Sequence, residues 1–437
     1  MGHLAGKDLY RALGRKIDGL TTRCPWNETL RAILETLYSE EEADVVVKMP
    51  FGVATFSRVQ RVTGYPEARL RRILDGLCDK GLVVDMDLKG KTYYVPSPMV
   101  VGIYEFTMMR VPEGVDPRKM AGLFHEYLSE QHDFYAANVA GGAQVSVMRT
   151  IPHEEALSEQ AHAEILDYER AVSLAEQFDD LSISTCSCRH EKQHTGTRGC
   201  DVPLDTCLSF GPASDFLVRR GFARRADRGE VLEILAASRE MGLVFNADNV
   251  QKNATFICQC CGCCCHALTG VSKHGYAGTI VTSNFIARID QDTCTGCGKC
   301  YQACPIDAIA MEKMVEPRGK KRKAPRVDES ICLGCGVCAL RCPEGALHLD
   351  PRPQRVLYPE NIFERIILQS LEHGTLQNQL FDEPNRLSHR FLRGLVGGFL
   401  RLPPVKKAFM SDLLRSRFLA AMASKAESRG MGDVLEL

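Results

Sequence analysis

Twenty cysteines constrain this 437-residue chain more than any other feature, because eighteen of them fall between Cys186 and Cys342. Only Cys24 and Cys78 lie outside that window. A secreted disulfide scaffold would be short, dense and preceded by an apolar leader. Here the chain is long, and it opens on Met-Gly-His-Leu-Ala-Gly-Lys-Asp, with no apolar segment. Crowded thiols in a reducing compartment read instead as metal ligands. No run of 18 apolar residues is present, so a cytoplasmic chain without a spanning helix is expected.

Eight of the cysteines repeat one pattern. Cys294-x2-Cys297-x2-Cys300-x3-Cys304-Pro305 recurs as Cys332-x2-Cys335-x2-Cys338-x3-Cys342-Pro343. Three closely spaced thiolates wrap one corner of a cuboidal [4Fe-4S] cluster, and with this spacing the fourth comes from the opposite repeat. Cluster I is therefore expected on Cys294, Cys297, Cys300 and Cys342, and cluster II on Cys332, Cys335, Cys338 and Cys304. Gly296, Gly298, Gly334 and Gly336 let backbone N–H groups approach the sulfurs. These residues, together with the Cys-Pro-x-x-Ala-Ile of Cys304–Ile309 and the Cys-Pro-Glu-Gly-Ala of Cys342–Ala346, closely resemble the bacterial two-[4Fe-4S] ferredoxin family. The resemblance covers residues 284–350 and implies low-potential electron transfer. It departs from the family in a long insert, Met311–Ser330, whose Arg318–Arg326 stretch carries six cations and no acid. That insert is expected to be a solvated loop, with docking of an acidic partner as the alternative.

The other ten cysteines have no such simple pattern. Cys186, Cys188, Cys200 and Cys207 form a quartet expected to hold a third cluster. Cys258, Cys260, Cys261, Cys263, Cys264 and Cys265 form a sextet within eight residues, four of which are expected to hold a fourth. Adjacent residues on a strand point apart, so the sextet cannot face one cluster as a whole. One cluster plus structural thiols, or a non-cubane cluster with catalytic capacity, are the alternatives. Arg189, His190, Arg198 and His266 stand beside these thiols and could tune a cluster. His190-Glu191-Lys192-Gln193-His194 matches the zinc-protease pattern, but that chemistry needs both imidazoles on one helix face. The five residues read as loop, and the match as coincidence.

The expected fold class is α+β and multidomain. Residues 21–100 read as a winged helix-turn-helix: helices at Thr29–Leu37, Thr55–Val62 and Glu67–Lys80, then a hairpin around Lys89-Gly90. Arg69, Arg71 and Arg72 lie on its third helix, but Asp75 and Asp79 dilute their charge, so an adaptor is expected over a DNA reader. Residues 101–180 read as a helical connector, with nine acids against one Arg in 153–180. Residues 181–283 read as an α/β Cys-rich unit, with strands Leu181–Thr185 and Ala254–Ile257 each running into a Cys-x-Cys. The ferredoxin-like two-cluster domain occupies 284–350. Residues 351–437 read as C-terminal helices, where Leu387, Phe391, Leu395 and Phe399 recur at helical spacing beside Arg386, Arg390, Arg393 and Arg401. Such a segment can touch a membrane surface, dock on a partner or cover its own core.

No glycine-rich nucleotide fingerprint is present, so flavin or nicotinamide chemistry is unsupported. The whole resembles large multidomain ferredoxin-type proteins of anaerobic prokaryotes. That implies an electron wire of two to four [4Fe-4S] clusters serving a redox partner such as a reductase, dehydrogenase or hydrogenase subunit. A redox-sensing regulator and a reductase with an open-coordinate cluster are the rivals. Peripheral contact with the inner face of a membrane would run through residues 386–418, which carry eight Lys/Arg against one Asp.

Overall fold

The computed structural model describes residues 2–139, 145–315 and 321–428, together with 432 and 435. It is mixed α and β, as expected, with all strand pairing inside its named sheets antiparallel.

The amino-terminal layer begins with helices Gly2–Asp18, Glu28–Leu37 and Glu40–Lys48. Asn27 caps the second by accepting from the Leu30 N–H at 2.8 Å. Ser39 and Glu42 close a reciprocal box at the start of the third, which holds the β-branched Val45-Val46-Val47 in a helix. Neither the first nor the third of these helices was anticipated from the sequence. Next come β1 (Ala54–Thr55), helices Phe56–Thr63 and Glu67–Asp79, β2 (Val83–Leu88) and β3 (Lys91–Pro96). Leu70, Ile73, Leu74 and Leu77 bury the face of Glu67–Asp79. Lys89 and Gly90 both have positive φ, 51° and 76°, which is the two-residue turn that a twisted hairpin prefers. β1 then pairs with β3 to give the order β1-β3-β2.

The stretch expected as a helical connector is not wholly helical. It contains β4 (Met148–Ile151), and its acidic part breaks into short pieces at Glu154–Ala156, Glu159–Glu164, Asp167–Glu169 and Ala171–Glu176. Tertiary hydrogen bonds outcompete a continuous helix there: His153 N donates to Cys335 O and Ser158 N to Leu349 O, both at 3.0 Å.

β4 is one edge of a six-stranded sheet with β5 (Leu181–Thr185), β6 (Asp205–Phe210), β7 (Ala223–Ala226), β8 (Val244–Asp248) and β9 (Phe256–Cys260). The order is β4-β8-β9-β6-β5-β7. The expected α/β unit is thus corrected to an antiparallel sheet, because β6 pairs between the two strands read from sequence while β7 and β8 pair on their outer sides. Helices Gly211–Arg219 and Arg228–Glu240 follow β6 and β7. Ile183, Leu208, Phe210, Val231, Leu235 and Ile257 form the core of this unit.

Beyond it, β10 (Phe285–Ile289) pairs with β13 (Leu347–Pro351), and β11 (Ile309–Val315) with β12 (Lys321–Val327). The insert expected as a solvated loop is therefore largely a hairpin. Its tip, with Arg318 and Lys320, lies outside the described residues. Helices Ile362–His373, Leu376–Leu380, Leu387–Leu400, Pro403–Met410 and Asp412–Glu427 follow. They return to the amino-terminal layer: Asn378 Nδ2 donates to Gly19 O at 2.8 Å, and Arg58 meets Asp382 at 2.8 Å. Among the described residues, no helix is long and apolar enough to cross a membrane.

Candidate metal centres

The two repeats fold alike. In each, the two glycines flanking the middle cysteine are left-handed, with φ of 73° and 77° at Gly296 and Gly298, and 68° and 87° at Gly334 and Gly336. A side chain at Gly336 would also collide, its Cβ standing 2.6 Å from Ala156 Cβ. The loops sit between β10–β13 and β11–β12 and place the eight thiols in two sets. Cys294, Cys297, Cys300 and Cys342 line one cavity of about 10 Å³. Cys304, Cys332, Cys335 and Cys338 line another of about 20 Å³. The Ala308 N–H donates to Cys304 Sγ at 3.2 Å. Two arginines lock the loops from outside. Arg322 donates to Cys294 O and to Gln291 O, and Arg352 to Cys332 O at 2.6 Å. The first cysteine of each repeat therefore has its carbonyl held by a guanidinium. Sequence reasoning placed Arg322 only in a charge patch and missed Arg352, since neither lies within a motif.

The remaining ten thiols are grouped differently from the sequence expectation. Cys200 leaves Cys186, Cys188 and Cys207 and joins Cys261, Cys263 and Cys264, with all four Sγ atoms within 4.8 Å of one another. The other six line a mostly apolar cavity of about 160 Å³, which Cys261 and Cys264 also border. Cys207 neighbours Cys258, Cys258 neighbours Cys260, Cys260 neighbours Cys265, and Cys265 neighbours Cys188, which lies by Cys186. The reason is the sheet. Cys258 and Cys260 alternate by two on β9, Cys207 lies on the adjacent β6, and Cys186 caps the helix Ser187–Thr195 that follows β5. Cys261 starts the loop beyond β9, where it meets Cys200, Cys263 and Cys264. Hydrogen bonding from Cys258 and Cys265 pulls the Cys260 thiol down to about 6, whereas burial pushes Cys186 up to about 12. Cys24 and Cys78 are fully buried in the amino-terminal core.

Residues 293–346 match the 4Fe-4S dicluster domain family. The segment is a ferredoxin-type iron–sulfur domain. Over 138 residues the chain is 31% identical to a subunit of the ion-translocating oxidoreductase complex of Methanosarcina acetivorans, covering 30% of this chain and 46% of that one. The subunit of the same name from Escherichia coli K12 is 51% identical over 35 residues, 8% of this chain and 18% of its own. Ferredoxin-3 of Trichormus variabilis is 33% identical over 49 residues, 11% and 47% of the two chains. The chain thus spans less than half the length of each of these relatives. No solved structure matches. With this domain and its thiol sets, the protein holds at least two [4Fe-4S] clusters and takes part in iron–sulfur electron transfer.

A buried polar network adjoins the six-cysteine cavity of the protein. Glu191 has no exposed side-chain surface. It accepts from Tyr104 OH at 2.7 Å, and it contacts His125 Nδ1 at 3.1 Å, Lys192 Nζ at 3.1 Å and His266 Nε2. Burial opposes its ionisation, but the cationic neighbours, His266 first, hold it well below the usual carboxylate range. The His-Glu-x-x-His stretch expected to be loop is in fact on the helix Ser187–Thr195, ended by Gly196 at φ 72°. His190 and His194 do share a face, with Nε2 atoms 2.9 Å apart, but His190 Nδ1 is engaged by Met108 O at 2.6 Å. Glu191 is enclosed by its four partners and has no water-facing side to act as a base. Arg189 is fully buried and donates to Pro203 O at 2.8 Å and Thr206 Oγ1 at 2.6 Å while contacting Cys261. Arg198 donates to Gln193 Oε1 at 2.9 Å and to Val202 O, so it braces its own loop.

Proposed function

We propose that the chain is an electron relay in which clusters I and II exchange electrons with a third iron–sulfur centre held by four or more of Cys186, Cys188, Cys207, Cys258, Cys260 and Cys265. Cluster I takes Cys294, Cys297, Cys300 and Cys342, and cluster II takes Cys332, Cys335, Cys338 and Cys304; the two four-cysteine cavities support this crossed ligation. The observation that carries the relay is a shared core: Cys260 and Cys265 pack in one apolar cluster with Cys300, Cys332, Cys335 and Cys338. Dry, contiguous packing of this kind suits electron hopping between centres, with potentials set by burial and hydrogen bonds to sulfur.

The likeness to oxidoreductase complex subunits supports a redox partner of the reductase, dehydrogenase or hydrogenase type. Residues 21–100 act as a winged-helix adaptor. Arg69 pairs with Glu41, and Arg71 pairs with Glu67 at 2.8 Å. These pairs reduce the free positive charge on the third helix, which favours an adaptor over a DNA reader. The carboxy-terminal stripe supports peripheral attachment of a cytoplasmic protein to an anionic membrane surface: Leu387, Phe391, Leu395 and Phe399 are 77, 71, 64 and 54% exposed, beside exposed Arg386 and Arg390.

Anaerobic purification with iron and sulfide counts and electron paramagnetic resonance tests the relay. About twelve irons per chain are expected, with about four lost in Cys186→Ser/Cys258→Ser. A count of about eight, unchanged in that double variant, would remove the third centre.

A further inference from the structure

The quartet of Cys200, Cys261, Cys263 and Cys264 differs from every other thiol group in one measurable respect, its spacing. Cys200 Sγ lies 3.7 Å from Cys261 Sγ and 3.9 Å from Cys264 Sγ, and Cys263 Sγ lies 3.5 Å from Cys264 Sγ. Among the described residues, it is the one group of three or more metal-ligating side chains whose donor atoms all lie within 4.8 Å of one another. Neither quartet of the ferredoxin-type domain is that tight, and no three of the six thiols around the large cavity are. A cuboidal cluster binds each thiolate through a different iron, which holds the four sulfurs apart. Four thiolates on one tetrahedral ion are closer: a Zn–S bond of about 2.3 Å places the corners of the tetrahedron about 3.8 Å apart.

We propose that Cys200, Cys261, Cys263 and Cys264 bind a single zinc ion in a tetrahedral all-thiolate site distinct from the iron–sulfur centres. The donor set is the one such a site requires, four thiolates from two chain segments with no open position. Cys261 and Cys264 are buried, packed with Leu243 and flanked by Val202, whereas Cys263 is exposed at the rim. Arg189 contacts the Cys261 sulfur and offsets the excess negative charge of a four-thiolate site. The backbone is shaped for closure. A Cβ on Gly199 would stand 3.2 Å from Cys263 Cβ, and one on Gly262 would stand 2.7 Å from the Pro305 carbonyl oxygen. The second contact sets the loop directly against the residue after Cys304. Zinc has no redox chemistry of its own. The ion therefore acts as a clasp, fixing the loops that flank the interior strands β6 and β9 against the ferredoxin-type domain.

The test uses the full chain, purified anaerobically from zinc-replete cells, with metals counted by mass spectrometry and the zinc environment read by X-ray absorption. One zinc per chain with four sulfur neighbours at about 2.3 Å is expected. Cys263→Ser is the mild variant, since its side chain is exposed; Cys200→Ser is the second. Both should lose most of the zinc while the iron count stays within error of the parent. Absence of zinc from the parent, or loss of about four irons in either variant, overturns the proposal. The relay is judged separately, by iron lost in Cys186→Ser/Cys258→Ser with zinc retained.

Discussion

The cysteines of 294–342 and those of 186–265 present the same donor atom but are assembled in opposite ways. In the first region, a short loop repeated twice brings six of the eight thiols together locally, and Cys304 and Cys342 each line the cavity of the opposite repeat. In the second, thiols converge from β6, β9, the helix after β5 and two loops, so that no motif of fixed spacing describes the grouping. A locally encoded site tolerates change in its surroundings, because its geometry is set by its own backbone. A site assembled by a sheet inherits every shift of that sheet. The difference teaches that thiol count alone does not separate a cluster from a single ion; the distance between sulfurs does.

The sharpest way to break this comparison is through the crossed ligands. Cys342→Ala should abolish the signal of the cluster on Cys294, Cys297 and Cys300 and remove about four irons. If its losses match those of Cys335→Ala instead, the repeats are not interlocked. Next in size is Glu191→Gln, which leaves His266, His125 and Lys192 around a neutral group in a buried site. A loss of about 3 kcal/mol in stability is expected, with third-centre iron reduced and the ferredoxin-type signals kept; equal damage to both regions would deny them separate supports. The sign of the pH effect follows from the depressed carboxyl. Its stabilisation is complete above the unfolded value of about 4.3 and declines as pH falls below it, so the parent's acid-unfolding midpoint should move to higher pH in Glu191→Gln.

A smaller effect is expected from Arg322→Ala, which removes two bonds to loop carbonyls. A cost of about 1–3 kcal/mol should appear as faster loss of cluster I in air, with cluster II unaffected. A parallel loss of both clusters would mean that the hairpin, not the guanidinium, holds the loop. The smallest effect should come from Phe391→Ser/Leu395→Ser. Cluster content should be unchanged, and co-sedimentation with vesicles containing anionic lipid should fall several-fold. Equal sedimentation of parent and variant would leave the stripe without a membrane role.

What could be read from sequence follows the same division. The doubled motif announced its clusters because all the needed geometry lies within a few residues. Lys89-Gly90 announced a hairpin for the same reason. The partition of the other ten cysteines was hidden, because Cys200 meets Cys261 only after β6 and β9 have paired. The helix at His190 was misread because Cys188 and the glycines after Thr195 suggested loop, whereas Gly196 is its left-handed end. The helix Glu40–Lys48 was missed because its three valines disfavour helix locally, and burial of Val45 and Val46 overrides that preference. Exposure of Phe391 was not readable either, since periodicity reveals a face but not what covers it.

The return of the last helices to the first layer bears on the order in which the protein is made. Arg23 donates to His373 O across 350 residues, and Asn378 to Gly19 O across 359. Arg58 and Asp382 meet across 324. At about 5–20 residues per second, the ribosome leaves the amino-terminal layer waiting tens of seconds for the segment that seals it. Every thiol from Cys186 to Cys342 emerges during that interval. Metal delivery can therefore precede closure of the large cysteine-lined cavity, to which the last helices contribute Gln369 and His373.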